Sequence, residues 1–452
     1  MTSTQSPPHT GQSAATLPAQ IPAPSSASSP DATSNAPAAP SAAAAMAPLK
    51  HPMWVLLAIC ALGLMSTIGV SMPYPILAPI FVGGPVDDFT HFAGLDPKLL
   101  MGLALAANPL GILLGSLFIG PLSDRYGRRA VLAVTLSATL VSYLLSALAL
   151  AQRDYLLFVL ARFVTGLTES NVAVARALLA DMHQQIDRTR AFAWLNSCLY
   201  MGWLLGPLVG GLTLPLGEAV PFVLAGLAML PCLAVLTLWV PAAAGAQAAA
   251  PWSWRALWAQ QALGLLARDK LLAALFVMQL FYTMGINALY EFAPLWMVEN
   301  LGLDSRGIAW VTAAQCATMT LASVLAGKFS RGGHGRALQG AALLALCAAL
   351  GLSLLAVLPG HLGVFVIIAL GAPLALYNAV LPAWVSERFA NYGQGRVMGL
   401  LSTIFCIANV TVALAGGLIS LLSTRWIMGL GGLCCVLAAL ALLRLARRQA
   451  QA

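Results

Sequence analysis

The chain has 452 residues and a formal net charge of +8; 60% of them are hydrophobic and only 8% charged, against roughly 25% charged in soluble domains. With a mean hydropathy of +0.84 it lacks the polar groups to cover a water-facing surface. That excludes a soluble enzyme and a secreted disulfide scaffold. An outer-membrane barrel is excluded too, because its strands alternate rather than run continuously apolar. What remains is an all-α polytopic membrane protein.

Residues 1–50 form a Pro/Ala/Ser/Thr tract with Asp31 as its one acidic group and Lys50 as its first Lys or Arg. Such a segment buries too little apolar surface to compensate its ordering entropy and reads as a disordered cytoplasmic tail. It has neither the basic start nor the compact apolar stretch of a signal peptide.

In lipid the backbone must satisfy itself, so spans are helices of about 20 apolar residues. Twelve stretches fit: 53–80, 98–119, 129–150, 155–180, 192–214 and 219–240, then 271–297, 307–328, 337–358, 362–384, 396–421 and 426–444. The longest internal connection, 241–270, carries Trp252, Trp254, Arg255 and Trp258, an interfacial mixture. It reads as a cytoplasmic linker between a six-helix bundle at 51–240 and a second at 271–452 that ends in a short cytoplasmic tail. Arg125, Arg128, Arg129, Arg188, Arg190, Arg268, Lys270, Arg388 and Arg444 fall on one set of connections, whereas the opposite set holds Lys98, Arg153, Arg306 and Arg425. The basic side is expected to be cytoplasmic, with both termini inside. The positive charge thus sets topology and does not imply nucleic acid.

Span one ends Met72-Pro73-Tyr74-Pro75-Ile76-Leu77-Ala78-Pro79, where prolines interrupt the helix and Tyr74 can offer a hydroxyl to a cavity. The turn between spans two and three reads Gly120-Pro121-Leu122-Ser123-Asp124-Arg125-Tyr126-Gly127-Arg128-Arg129. Gly127 supplies backbone freedom, and the arginines suit anionic headgroups. Span four holds Arg162, Glu169 and Arg176, spaced by seven and so on one helical face. Each charge inside a span costs about 3 kcal/mol on insertion scales, so these three should meet a wet cavity or one another. In span five, Gly202, Gly206 and Gly210 make a small-residue stripe, with Pro207 and Gly211 beside it, permitting close helix approach and a bend. Span seven carries Tyr282, Asn287, Tyr290 and Glu291, and span ten Tyr377 and Asn378. A carboxyl such as Glu291, held away from water, can load and release a proton, although an interfacial role like that of Glu299 is the alternative. Gln315 and Asn196 read as interhelical hydrogen-bonding groups. The cysteines all fall inside spans without a metal-ligand spacing, and no metal site or cofactor is expected.

The string from Gly120 to Arg129 resembles the GxLaDrxGrk loop of the major facilitator superfamily. The resemblance implies a major facilitator fold, twelve transmembrane helices in two pseudo-symmetric six-helix bundles around a central cavity. In that family the loop's aspartate and a later arginine latch a cytoplasmic gate against an acidic residue ending helix four; those positions match Asp124, Arg128 and Asp181 here. The second-half loop, Gly327 to Arg336, keeps Gly327, Ser330 and Arg336 in register but puts Arg331 where the aspartate would be. Arg162 to Gly166 resembles a helix-four signature of proton-coupled drug exporters, which makes Arg162 a cavity group tied to proton movement. Gly202 to Gly211 resembles a pattern of antiporters, and the segment from Arg162 to Gly211 looks like tetracycline-type efflux antiporters. Family architecture places helices one, four, seven and ten around the cavity, so Tyr74, Arg176, Tyr282, Asn287, Tyr377 and Asn378 would converge there.

The function so implied is secondary active transport: proton-coupled efflux of small amphiphilic or drug-like molecules by alternating access. Protons would act through Glu169, Glu291 and Arg162. The partners are a small-molecule substrate, protons and the lipid bilayer, with no nucleic acid; the site is the cell (inner) membrane and the working form a monomer. A dedicated exporter of one metabolite, such as a siderophore or lipid precursor, shares every motif. A non-transporting receptor or sensor on the same scaffold would leave the antiporter-like span five without a purpose. Motifs of hydrolases and phosphate-binding loops are absent.

Overall fold

The computed structural model describes residues 52–169, 171–181, 188–240, 264, 266–329, 334–389, 392 and 394–451. The tail at 1–50, the tryptophan-rich segment 252–258 and the loop 330–333 lie outside the described residues. Among those described, the chain is helical apart from its connections, with no strand.

Span one is Pro52–Ser71 followed by Tyr74–Gly83. Pro73, without an N–H, stands at the interruption between them. Spans two and three are Pro97–Tyr126 and Arg128–Gln152, joined by Gly127 alone at φ 89°, a conformation that glycine adopts without a Cβ penalty. Span four is described as Tyr155–Glu169 and Asn171–Asp181, span five as Arg188–Thr213, and span six as Val220–Leu227 and Met229–Trp239. The second half follows as Lys270–Leu301, Ser305–Phe329, His334–Val357, Gly360–Arg388, Gln394–Ser420 and Thr424–Gln451. Among the described residues eleven helices are long and apolar enough to cross a membrane; Ser305–Phe329 is the further helix that completes the twelve.

Helix starts carry their own caps. Asp96 accepts the Lys98 N–H at 2.8 Å, and Asp269 accepts those of Leu271 and Leu272 at 2.8 and 3.0 Å. The Leu272 N–H, helped by the Tyr392 hydroxyl and that of Leu271, holds the Asp269 carboxyl below the usual carboxylate range. Large side chains such as Val134, Leu160, Leu350 and Phe365 are exposed. In lipid such positions are solvated by acyl chains, so apolar residues occupy both the inside and the outside of the bundle.

Close packing follows the small residues. Gly202, Gly206 and Gly210 of span five lie against span one, where an added Cβ would meet the Leu64 oxygen at 2.8 Å, the Ile68 oxygen at 2.8 Å and the Met72 oxygen at 2.6 Å respectively. Two further contacts join the first six spans to the last six: Gly102 of span two against the Ala413 oxygen of span eleven, and Gly211 of span five against the Ser305 oxygen of span eight, each at 2.5 Å from an added Cβ. The second part of span one also packs on span seven. At this same end Lys98 pairs with Glu299 at 2.6 Å and donates to the Ser420 oxygen at 3.2 Å, so one ammonium group ties span two to spans seven and eleven.

Candidate functional site

Arg162 and Glu291 are both buried, at 2% exposed. The Tyr74 hydroxyl donates to Asn409 Oδ1 at 3.2 Å. Tyr74 stacks on Trp203 of span five with ring centroids 6.1 Å apart and planes 17° apart. Trp203 in turn meets Tyr290 at 6.1 Å and, edge-on, Phe405 at 5.7 Å. These four aromatic rings are only half-buried, so their faces border accessible space deep in the bundle. The break at Pro73 places Tyr74 here, because it starts a new helix after the turn.

Two buried charges are incompletely satisfied. Among the described residues, neither oxygen of Glu291 has a hydrogen-bonding partner, nor do Nε and Nη1 of Arg162 or Nδ2 of Asn287, one turn before Glu291. Buried polar groups are ordinarily satisfied, and an unpaired one costs about 1–3 kcal/mol. A guanidinium of span four and a carboxyl of span seven thus keep buried hydrogen-bonding capacity that the described residues do not satisfy.

Glu169 is satisfied by neutral donors. Its Oε1 accepts the Tyr143 hydroxyl in a short hydrogen bond and its Oε2 accepts Asn108 Nδ2 at 3.0 Å. It also lies against Gly69, so it is enclosed by spans one, two, three and four. Arg162 influences it electrostatically, but its hydrogen-bonding partners are neutral. The face shared by Arg162 and Glu169 in sequence therefore serves two environments. Arg176 is half-buried on Asn171–Asp181.

The tyrosines of spans seven and ten pair with one another. Tyr282 and Tyr377 stack with centroids 3.5 Å apart, and the Tyr377 hydroxyl donates to Gln279 Oε1 at 3.0 Å. The Tyr282 hydroxyl is buried without a partner, while Asn378 is exposed. In the loop after span two, Asp124 and Arg128 form an ion pair, and Arg128 donates to Ser123 Oγ at 2.6 Å. Gly120, where an added Cβ would meet nothing, starts this loop motif. Asp181 ends its helix, and its side chain lies outside those described. Pro207 sits inside Arg188–Thr213 among the packed glycines.

Sequence reading missed Asn108, Tyr143, Trp203, Phe405 and Asn409. A signal existed for the polar three, since each is a hydrogen-bonding group inside an apolar span and so calls for a partner. Trp203 was visible only as part of a packing motif.

The sequence profile described as Major Facilitator Superfamily matches residues 54–410 and again 275–452. The chain is similar to the class B tetracycline resistance protein of Escherichia coli, 31% identical over 179 residues, which cover 39% of this chain and 41% of that protein. It is also 29% identical over 146 residues to the human major facilitator superfamily domain-containing protein 10, covering 32% and 30%. The chain thus spans about two-fifths or less of the length of these relatives. Among solved structures it resembles the nucleoside transporter NupG, with a TM-score of 0.68 at 12% identity over 86% of this chain and 99% of that one. A D-xylose–proton symporter gives 0.65 at 19% identity, over 87% and 97%. At such identities the likeness concerns the fold alone.

Proposed function

This chain belongs to the Major Facilitator Superfamily, a transporter rather than an enzyme, spanning the cell membrane many times; on that premise we propose that it exports small amphiphilic or drug-like molecules in exchange for protons. The observation that carries this reading is Glu291, a buried carboxyl of span seven with no hydrogen-bonding partner among the described residues. A proton on Glu291 removes a charge that burial disfavours; its departure restores it. Substrate beside Tyr290, the residue before Glu291, competes with that proton, so proton and cargo favour different arrangements of the bundles. Glu169 and Arg176, with Asn287, Tyr282, Tyr377 and Asn378, supply further polar groups along the route. Asp124 and Arg128 latch the opposite end together with Asp181, and the span-five stripe provides the surface on which span one rocks.

The relatives named for tetracycline resistance support drug-like cargo, and the basic loops support an orientation with both termini in the cytoplasm. A membrane potential adds about 2.3 kcal/mol per charge at 100 mV, which suffices to drive modest accumulation with one proton per cycle. The buried Arg162 guanidinium, whose Nε and Nη1 lack a partner among the described residues, also favours a second reading, a dedicated exporter of one anionic metabolite.

Proteoliposomes with an imposed pH gradient test the mechanism, using tetracycline and ethidium as probes. Glu291→Gln should abolish proton-linked exchange yet leave probe counterflow, because the neutral amide keeps the site but carries no proton. If Glu291→Gln and Glu169→Gln both retain full proton-linked export, the mechanism is wrong.

A further inference from the structure

Lys98 stands in the first turn of span two, Pro97–Tyr126, and Asp124 in its last. About 39 Å of helix, at 1.5 Å per residue, separates them, more than the roughly 30 Å of a hydrocarbon core. The two charges therefore lie in the aqueous margins at opposite ends of the molecule. Asp124 pairs within its own loop, with Arg128. Arg153 pairs with Asp87 and Glu218, all three in the first six spans. Among the described ion pairs only Lys98–Glu299 joins the first six spans to the last six.

The seam beneath this pair is built from small residues. Gly102, one turn after Lys98, faces Gly417 of span eleven, whose Cα an added Cβ would meet at 3.0 Å. At the second contact between the halves, an added Cβ on Gly211 would meet the Ser305 oxygen at 2.5 Å and the Ala309 Cβ at 2.6 Å. Such surfaces gain dispersion over a short range and have no long side chains to disengage, so they part and re-form without repacking. The ammonium group adds a directed attraction. It pairs with Glu299 at 2.6 Å and donates to the Ser420 oxygen at 3.2 Å, reaching spans seven and eleven at once. The two side chains are 25% and 23% exposed, and an ion pair that open to water contributes modestly. That suits a closure undone in every cycle, since a strong lock would hold the protein in one arrangement.

We infer that Lys98 is the latch of this end: seated on Glu299 and the Ser420 carbonyl, it holds the two halves together here, and its release lets them part. The inference rests on the proposed exchange only in taking the two ends to open in turn. Its test uses neither cargo nor a pH gradient, so the latch and the coupling at Glu291 can fail separately.

Ser305, 4% exposed against Gly211, reports opening at a contact that contains neither charge. Full-length Ser305→Cys in nanodiscs is treated with a membrane-impermeant maleimide, with the native chain as the blank for its own cysteines. Adding Lys98→Gln or Glu299→Gln should raise the labelling rate about fivefold, as for the loss of one water-accessible ion pair. Lys98→Glu, which sets two carboxylates together, should raise it further, and joining it to Glu299→Lys should bring the rate back towards that of Ser305→Cys alone. Ser420→Cys, which keeps the carbonyl that Lys98 uses, is the second reporter if Ser305→Cys does not fold. A rate that none of the single changes raises overturns the latch. A rise that the exchanged pair does not reverse overturns the role of the ion pair.

Discussion

Two carboxyl groups lie buried in membrane-spanning helices, one in each half of the molecule, and their surroundings differ. Glu169 is held by Tyr143 and Asn108 and shielded by Gly69; Glu291 has no partner for either oxygen. The difference separates a group that builds structure from one that awaits a partner. A satisfied carboxyl fixes four helices with respect to each other, and removing it strands its donors. A bare carboxyl contributes little to the resting fold and keeps its capacity for a proton or a ligand.

The sharpest test of the contrast replaces each with leucine. Glu169→Leu should lower the unfolding free energy in detergent by about 3 kcal/mol, because the Tyr143 hydroxyl and the Asn108 amide lose their acceptor. Glu291→Leu should leave stability unchanged or raise it, since two unpaired buried oxygens disappear. Equal losses at both sites would break the comparison. A smaller effect, about 2 kcal/mol, is expected from Gly69→Ala, whose Cβ would collide with the Tyr143 hydroxyl and approach Glu169 Oε1 at 2.9 Å. Its thermal midpoint should fall, and adding Tyr143→Phe should cost less in that background than alone, because the two changes act on one contact.

A third carboxyl, at the water-facing end, sets the lower bound. Burial pushes Asp87 up, but hydrogen bonds from Arg153 and Thr90 outweigh it and hold the group below its ordinary 3.8. A carboxyl lowered on folding contributes stability in full above the unfolded value, and loses it as pH falls through the folded one. Acidification below pH 3.8 should therefore lower the melting temperature slightly. Asp87→Asn should remove that part of the acid sensitivity without altering transport at neutral pH.

Legibility in the sequence tracked distance along the chain. The helices and the Gly127 turn were readable because their causes lie within a few residues. The stripe at Gly202, Gly206 and Gly210 was readable as a packing face, though not its partner, span one. The site at Tyr74 was half readable. Arg162 and Glu291 stood out because charges are scarce in spans, whereas Asn409 called for a partner without showing that it is Tyr74, 335 positions away. Asn378, expected at the cavity, is exposed on span ten.

The low charge content by itself determined the solvent, the helical class and the number of spans, because lipid leaves the backbone no other way to satisfy its hydrogen bonds. It also marked which few charges could carry function. Only the tertiary structure decided which of them are paired. Glu169 and Arg162, seven residues apart on one helix, point to the same face, but the neutral donors of spans two and three reach one and not the other. Pairing in a bundle depends on which neighbouring helices deliver a donor at the right depth, and hydropathy along one span carries no information about that.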